Sequence, residues 1–184
     1  MTLSDIEALH ELLQERSVRR GDFVLASGRR STYYIDARLT TMSAEGQLLI
    51  GRAGLAAIRL KGWNPAAIGG LTMGADPVAY AVAAASVASA PIVDAFSVRK
   101  EAKKHGTGKR IEGNFASGRK VVIAEDVITT GGSALQAIEA VQAEGGLVLG
   151  VLAIVDREEG GRDTILSAGI DVVSLTTTTS LGLK

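Results

Sequence analysis

Five short apolar runs rich in β-branched residues recur along this chain, at residues 67–69, 91–98, 120–124, 147–155 and 171–175. Most of them lack the polar alternation of a strand with one wet face, so they read as strands covered on both sides. The stretches between them carry helical periodicity: 43–60, 76–88, 133–143 and a shorter pattern near 162–168. Alternating strands and helices leave few topologies open. The expectation is an α/β fold, with right-handed βαβ crossovers around a central, mostly parallel sheet flanked by helices. A chain of 184 residues with 46% hydrophobic content can build one such unit. No repeat, Pro-rich linker or low-complexity tract divides it, and Pro65, Pro77 and Pro91 fall where elements should begin.

The first seventeen residues, MTLSDIEALHELLQERS, place Ile6, Leu9, Leu12 and Leu13 at helical spacing among charges. That is an amphipathic helix and not the unbroken apolar core of a signal peptide. The weakly polar run at 78–93 is too short to span a bilayer and reads as a buried helix leading to a strand. Residues 23–38, FVLASGRRSTYYIDAR, hold two strand-like runs around a Ser-Gly turn, a small accessory hairpin. After residue 98 comes a long, charged, Gly-spaced segment, RKEAKKHGTGKRIEGNFASG, expected to be a mobile loop over about 99–117. Twenty Lys and Arg balance twenty Asp and Glu, which gives no whole-molecule steering toward nucleic acid or an acidic membrane. With no cysteine and only His10 and His105, disulfides, thiolate metal sites and a His-rich site are excluded; a reducing cytoplasm suits such a chain.

The chemistry concentrates in VVIAEDVITTGGSA, residues 121–134. Read as a strand-to-helix handover, residues 121–124 form the strand and Glu125 and Asp126 end it. Thr129 to Gly132 then turn the chain, and Ser133 caps a helix whose core face is Ala134, Leu135, Ile138 and Val141. Gly and hydroxyl residues at a helix N-terminus offer free N–H groups, side-chain donors and the positive end of a helix dipole, which suit a phosphate. The two carboxylates can accept from vicinal ribose hydroxyls or lie near a hydrated Mg²⁺. Together these read as a ribose 5-phosphate clamp. A Walker A loop fails because no Lys follows the glycines, and a Rossmann fingerprint fails because only Gly131 and Gly132 are present. The bland alternative is a βα turn with a capping Ser and solvated acids.

Residues 125–133 resemble the phosphoribosyl pyrophosphate (PRPP) binding motif of the type I phosphoribosyltransferases. VRKEAKKHG, residues 98–106, is similar to the catalytic loop of orotate phosphoribosyltransferases. SGRRSTYYID, residues 27–36, resembles their base-binding segment, and IVDREEGG, residues 154–161, their Asp-Arg turn. The resemblance covers nearly the whole chain. It implies the type I phosphoribosyltransferase fold, one domain over 1–184, with a small N-terminal hood over about 1–40.

It also implies transfer of the 5-phosphoribosyl group from PRPP to orotate with Mg²⁺, giving orotidine 5′-monophosphate and pyrophosphate on the route to UMP. Arg99, Lys100, Lys103 and His105 become catalytic candidates. Residues 99–110 carry six Lys or Arg against one Glu, a local charge of +5 suited to a pyrophosphate leaving group. The PRPP segment is Glu125, Asp126, Val127, Ile128, Thr129, Thr130, Gly131, Gly132 and Ser133. Thr129, Arg157 and Tyr34 are assigned to orotate, Arg157 as the guanidinium fork for its carboxylate. Without the resemblance, Arg157 reads as a surface residue paired with Glu158 or Asp163, and Tyr33 and Tyr34 as packing aromatics. Mg²⁺ is expected to be held mainly by PRPP, near Asp126, with no metal site fixed by the protein alone. A homodimer that shares its sites, with no nucleic-acid or membrane partner, is implied too.

GGLTMGADPVA, residues 69–79, resembles the pyrophosphate-binding turn. Many relatives carry a Lys where Met73 or Gly74 stands here, and another where Ala26 stands, for which Arg29 or Arg30 could compensate. Two alternatives remain: transfer to another base, and a PRPP- or nucleotide-sensing regulator on the same fold.

Overall fold

The computed structural model describes residues 3–24, 28, 30–101 and 110–184. Its centre is a six-stranded sheet built from β3 (Ala67–Leu71), β4 (Asp94–Val98), β5 (Ile111–Gly113), β6 (Lys120–Ile128), β7 (Leu147–Asp156) and β8 (Val172–Thr177). The spatial order is β5-β4-β3-β6-β7-β8, parallel throughout except for β5. All five runs expected as strands are strands, and every residue of β3 is buried, as a strand covered on both faces requires.

Side chains leave the strands alternately, so each strand feeds two cores. Val122 and Ala124 join Leu152 and Ile154 against α3 (Ala44–Leu60) and α4 (Ala75–Ser86). Val121 and Ile123 join Val151 and Ala153 against α5 (Gly132–Ala143) and α6 (Gly161–Ser167). Ser43 starts α3 as an N-cap, its Oγ accepting from the Gly46 amide at 3.0 Å.

Helix α1 (Leu3–Arg16) buries Leu9, Leu12 and Leu13 in the first core. The hairpin pairs β1 (Val18–Val24) with β2 (Arg30–Ile35), and a short α2 (Arg38–Thr41) leads from it to α3. The hairpin's first strand begins earlier than the sequence suggests, because Val18 and Arg19 pair with Ile35 and Tyr34. Within the segment expected as loop after residue 98, Ile111–Gly113 is a strand antiparallel to β4. Apolar contacts anchor it: Ile111 is buried, and just past the strand the Phe115 ring lies 5.6 Å from that of Phe96.

From β3 the chain moves outward through β4 and β5, then returns to the other side of β3 to begin β6. The strand order therefore reverses between β3 and β6. A crevice opens outside the carboxyl ends of strands at such a point.

Candidate active site

Strand β6 runs on through Ile128, so Glu125 and Asp126 lie within the strand and do not end it as expected. Pairing with β7 extends it: Glu125 stands opposite Ala153, Val127 opposite Val155 and Ile128 opposite Asp156. Val127, half-buried, packs against the α3/α4 core, and Ile128 is buried in the α5/α6 core, which leaves the backbone of Ile128 to meet a ligand.

Glu125 is 6% exposed, and burial, reinforced by the neighbouring Asp126 charge, pushes its carboxyl up to about 8. Burial also raises Asp126, while a hydrogen bond from the Val127 amide at 2.9 Å and the charge of Arg38 pull the other way. Asp126 reaches across the switch point to the β3–α4 turn. A Cβ built on Gly74 would come within 2.6 Å of its Oδ1. Gly74 thus cannot carry a lysine with Asp126 in this place, and the position in this turn open to a long side chain is Met73, which is 62% exposed.

The loop after β6 turns at Gly131, whose φ of 83° is the left-handed region that glycine tolerates. Gly131, and not Ser133, is the N-cap of α5, and no side chain caps this helix. The helix starts early enough to place Ser133 in its first turn, exposed. Thr129 and Thr130 precede the cap, half-buried and exposed respectively.

The Arg157 amide donates to the Ile128 carbonyl at 3.0 Å, so the loops after β6 and β7 leave the sheet side by side. Arg157 is 8% exposed and is not the surface residue a bare reading of the sequence suggests. Its Nη2 meets Glu159 Oε1 at 2.9 Å, and its Cζ lies 5.4 Å from the centroid of the Tyr33 ring. Its Nε is buried with no hydrogen-bond partner. Glu158 faces elsewhere: its carboxylate accepts from the Thr179 amide at 2.7 Å. The strand period of two sets the two tyrosines on opposite faces. Tyr33 is buried beneath Arg157, while Tyr34 is exposed and stacks obliquely on Phe23 with centroids 5.8 Å apart.

Arg99 sits at the end of β4, half-buried, its backbone bonded to Arg110 and its Nε 3.2 Å from Glu112 Oε1. Lys100 is exposed; Lys103 and His105 lie outside the described residues. Sequence reasoning missed two features. Glu159 is one. The other is Arg38, held by Asp36 through contacts of 2.8 and 3.0 Å, which hold the Asp36 carboxyl below its ordinary range while the Arg38 charge acts on Asp126. The Asp-x-Arg spacing at 36–38 was the available signal.

Among the described residues no group of three or more His, Asp or Glu side chains could hold a metal ion, and no helix is long and apolar enough to cross a membrane.

Residues 42–167 match the phosphoribosyl transferase domain family. The chain is 44% identical to an orotate phosphoribosyltransferase of Rhodopirellula baltica, across 98% of this chain and 95% of that one. It is 46% identical to an orotate phosphoribosyltransferase of Aquifex aeolicus, across 95% and 96%. Among solved structures it is similar to the Mycobacterium tuberculosis orotate phosphoribosyltransferase in complex with PRPP, with a TM-score of 0.81 and 40% identity over 97% of this chain and 99% of that one.

Proposed function

This chain belongs to the phosphoribosyltransferase family, and from that premise we propose that it transfers the 5-phosphoribosyl group of PRPP to orotate, yielding orotidine 5′-monophosphate and pyrophosphate for UMP synthesis. The observation that carries the choice of base is Arg157, a buried guanidinium with an unpartnered Nε, on a loop that leaves the sheet beside the acid pair and the glycine turn. A carboxylated pyrimidine supplies the planar anion that such a fork takes.

In this reading Glu125 and Asp126 accept from the ribose hydroxyls. The amides and hydroxyls of residues 129–133, at the N-terminus of α5, donate to the 5-phosphate. The ribose C1 is thereby fixed between the base pocket at Arg157 and the β3–α4 turn. As the bond from C1 to the pyrophosphate oxygen breaks, positive charge grows on the ribosyl ring and negative charge on the leaving group, and an orotate ring nitrogen forms the new bond to C1 as its proton passes to the pyrophosphate. Arg99, Lys100, Lys103 and His105 are assigned to the pyrophosphate charge, the largest electrostatic demand of the step.

Mg²⁺ fits the acid pair. Two adjacent carboxyls both raised above their ordinary range are stabilised by a cation, and Asp126, the less buried of the two, is the one assigned to its hydration shell. Bound with PRPP, the ion contributes charge neutralisation at the pyrophosphate.

Sites shared within a homodimer belong to the same reading. A surface groove between α3 and α4 exposes Leu48 and Ala84, with Gln47 and Arg52 also in its lining, and supports a second copy docking there. Mixing a Lys103→Ala chain with an Asp126→Asn chain should restore activity that neither has alone, because in each mixed dimer one site takes its loop from one chain and its acid pair from the other and is whole. A reducing cytoplasm is the proposed setting for a chain without cysteine.

The test is the fall in orotate ultraviolet absorbance on adding the protein, PRPP and Mg²⁺, with adenine, hypoxanthine and uracil as controls. Mg²⁺-dependent loss with orotate alone supports the proposal. Turnover with another base, and none with orotate, overturns the base and keeps the clamp.

A further inference from the structure

Arg157 and Glu159 are two residues apart, yet their side chains meet at 2.9 Å, with only 9% and 12% of those side chains exposed. Between them Glu158 stands at a φ of 54°, a conformation uncommon for residues other than glycine.

The structure holds Glu158 there from the C-terminal segment. Its carboxylate accepts from the Thr179 amide and the Thr178 hydroxyl, each at 2.7 Å, and its carbonyl accepts from Lys184 Nζ at 2.8 Å. These bonds to the charged form hold its carboxyl below the ordinary range. A cavity of about 450 Å³ opens beside the turn, lined by Arg30, Ser31, Thr32 and Tyr33 of the hairpin together with Glu158, Glu159 and Lys184.

A guanidinium buried as deeply as that of Arg157 is costly without a counter-charge and is free to turn without a fixed partner. Glu159 supplies the counter-charge from one edge and Tyr33 supplies a ring face. Nε stays without a partner.

We infer that Glu159, thrown back by the clamped Glu158 turn, is the positioning residue that orients the Arg157 fork for the carboxylate of the base. The inference rests on the orotate reading above. Glu159 touches no reacting atom; it acts through Arg157, so its removal should weaken recognition of the carboxylated base and leave PRPP handling alone.

The experiment measures orotate KM, PRPP KM and kcat for the wild-type protein, Glu159→Ala and Glu159→Gln, with a thermal melt of each. Wild-type turnover of orotate comes first: its absence defeats the orotate reading itself and is thereby told apart from a failure here. Glu159→Ala should raise orotate KM by about tenfold or more, the loss of one charge-assisted hydrogen bond, while kcat and PRPP KM move less than about twofold. Glu159→Gln, which keeps an acceptor for Nη2, should return orotate KM to within about threefold of wild type. Should Glu159→Ala fail to fold, Glu159→Asp replaces it: one methylene short of the contact, it should show the same selective rise in orotate KM. An unchanged or lowered orotate KM in the variant that removes the contact, or an equal rise in both KM values, overturns the inference.

Discussion

Gly131 and Gly161 touch backbone to backbone: a Cβ on Gly161 would lie 2.7 Å from the Gly131 amide nitrogen and 2.6 Å from the Thr129 carbonyl oxygen, and one on Gly131 would lie 2.8 Å from the Gly161 carbonyl. The loop after β6 and the loop that carries Arg157 are thus one packed unit, in a close approach that the absence of two methyl groups allows.

Gly161→Ala forces these loops apart. Overpacking of this kind costs about 1–3 kcal/mol, so the melting temperature should fall by several degrees. PRPP and orotate KM should rise together, since both loops are displaced. Steady-state kinetics with each substrate varied in turn checks this, and a change confined to one KM would count against the coupling.

The acid pair predicts a pH dependence. The Glu125 carboxyl is raised in the folded state to about 8 from an ordinary value of 4.5, so folding binds a proton there. Its contribution to stability is fully present below pH 4.5, shrinks as pH rises, and is gone above about 8. Denaturant melts across that window should show a downward slope that Glu125→Gln flattens.

Hydroxyl donors from ribose favour the ionised acid. PRPP binding to the free protein near pH 7 should therefore release a proton from Glu125. Calorimetry in buffers of different ionisation enthalpy measures this release, and Glu125→Gln should lose that part of it.

The β3–α4 turn distinguishes two neighbouring positions. Met73→Lys adds a cation on the open side of the turn, worth about 0.2–1 kcal/mol at an exposed site, so PRPP KM should fall by no more than about fivefold. Gly74→Lys instead meets the Asp126 carboxylate and should cut kcat/KM for PRPP by at least about tenfold. Kinetics of the two variants side by side, with melts to confirm folding, decide it.

Tyr33 supports the guanidinium of Arg157 with its ring face. A cation–π contact of this kind contributes about 0.5–2 kcal/mol, so Tyr33→Leu should raise orotate KM roughly 2- to 30-fold. Tyr33→Phe keeps the ring and should stay near wild type. The same substitutions at Tyr34, which packs on Phe23, should do less.

Much of this was legible in the sequence because the signals are local. Apolar runs without polar alternation marked the strands of the parallel sheet, and Ser43 announced the start of α3. The segment at 125–133 stood out because two acids, two threonines and a Gly-Gly turn fall in one short contiguous stretch of chain. Where strand β6 stops was not, since only pairing with β7 carries it past Glu125 and Asp126. The cap of α5 was misassigned to Ser133 because a left-handed glycine, invisible to composition, begins the helix earlier.

The sequence by itself determined the strands of the parallel sheet and the helices between them, and it singled out most of the candidate site residues, for these follow from periodicity and residue type within a few neighbours. Only the tertiary structure decided what those side chains face. Strand order placed Gly74 against Asp126, strand parity put Tyr33 and not Tyr34 beneath Arg157, and the C-terminal threonines hold the Glu158 carboxylate beside the contact of Glu159 with Arg157. The physical reason is range. Propensity and pattern act over one or two turns of chain, whereas burial, charge pairing and close backbone approach arise between segments far apart in sequence that folding alone brings together.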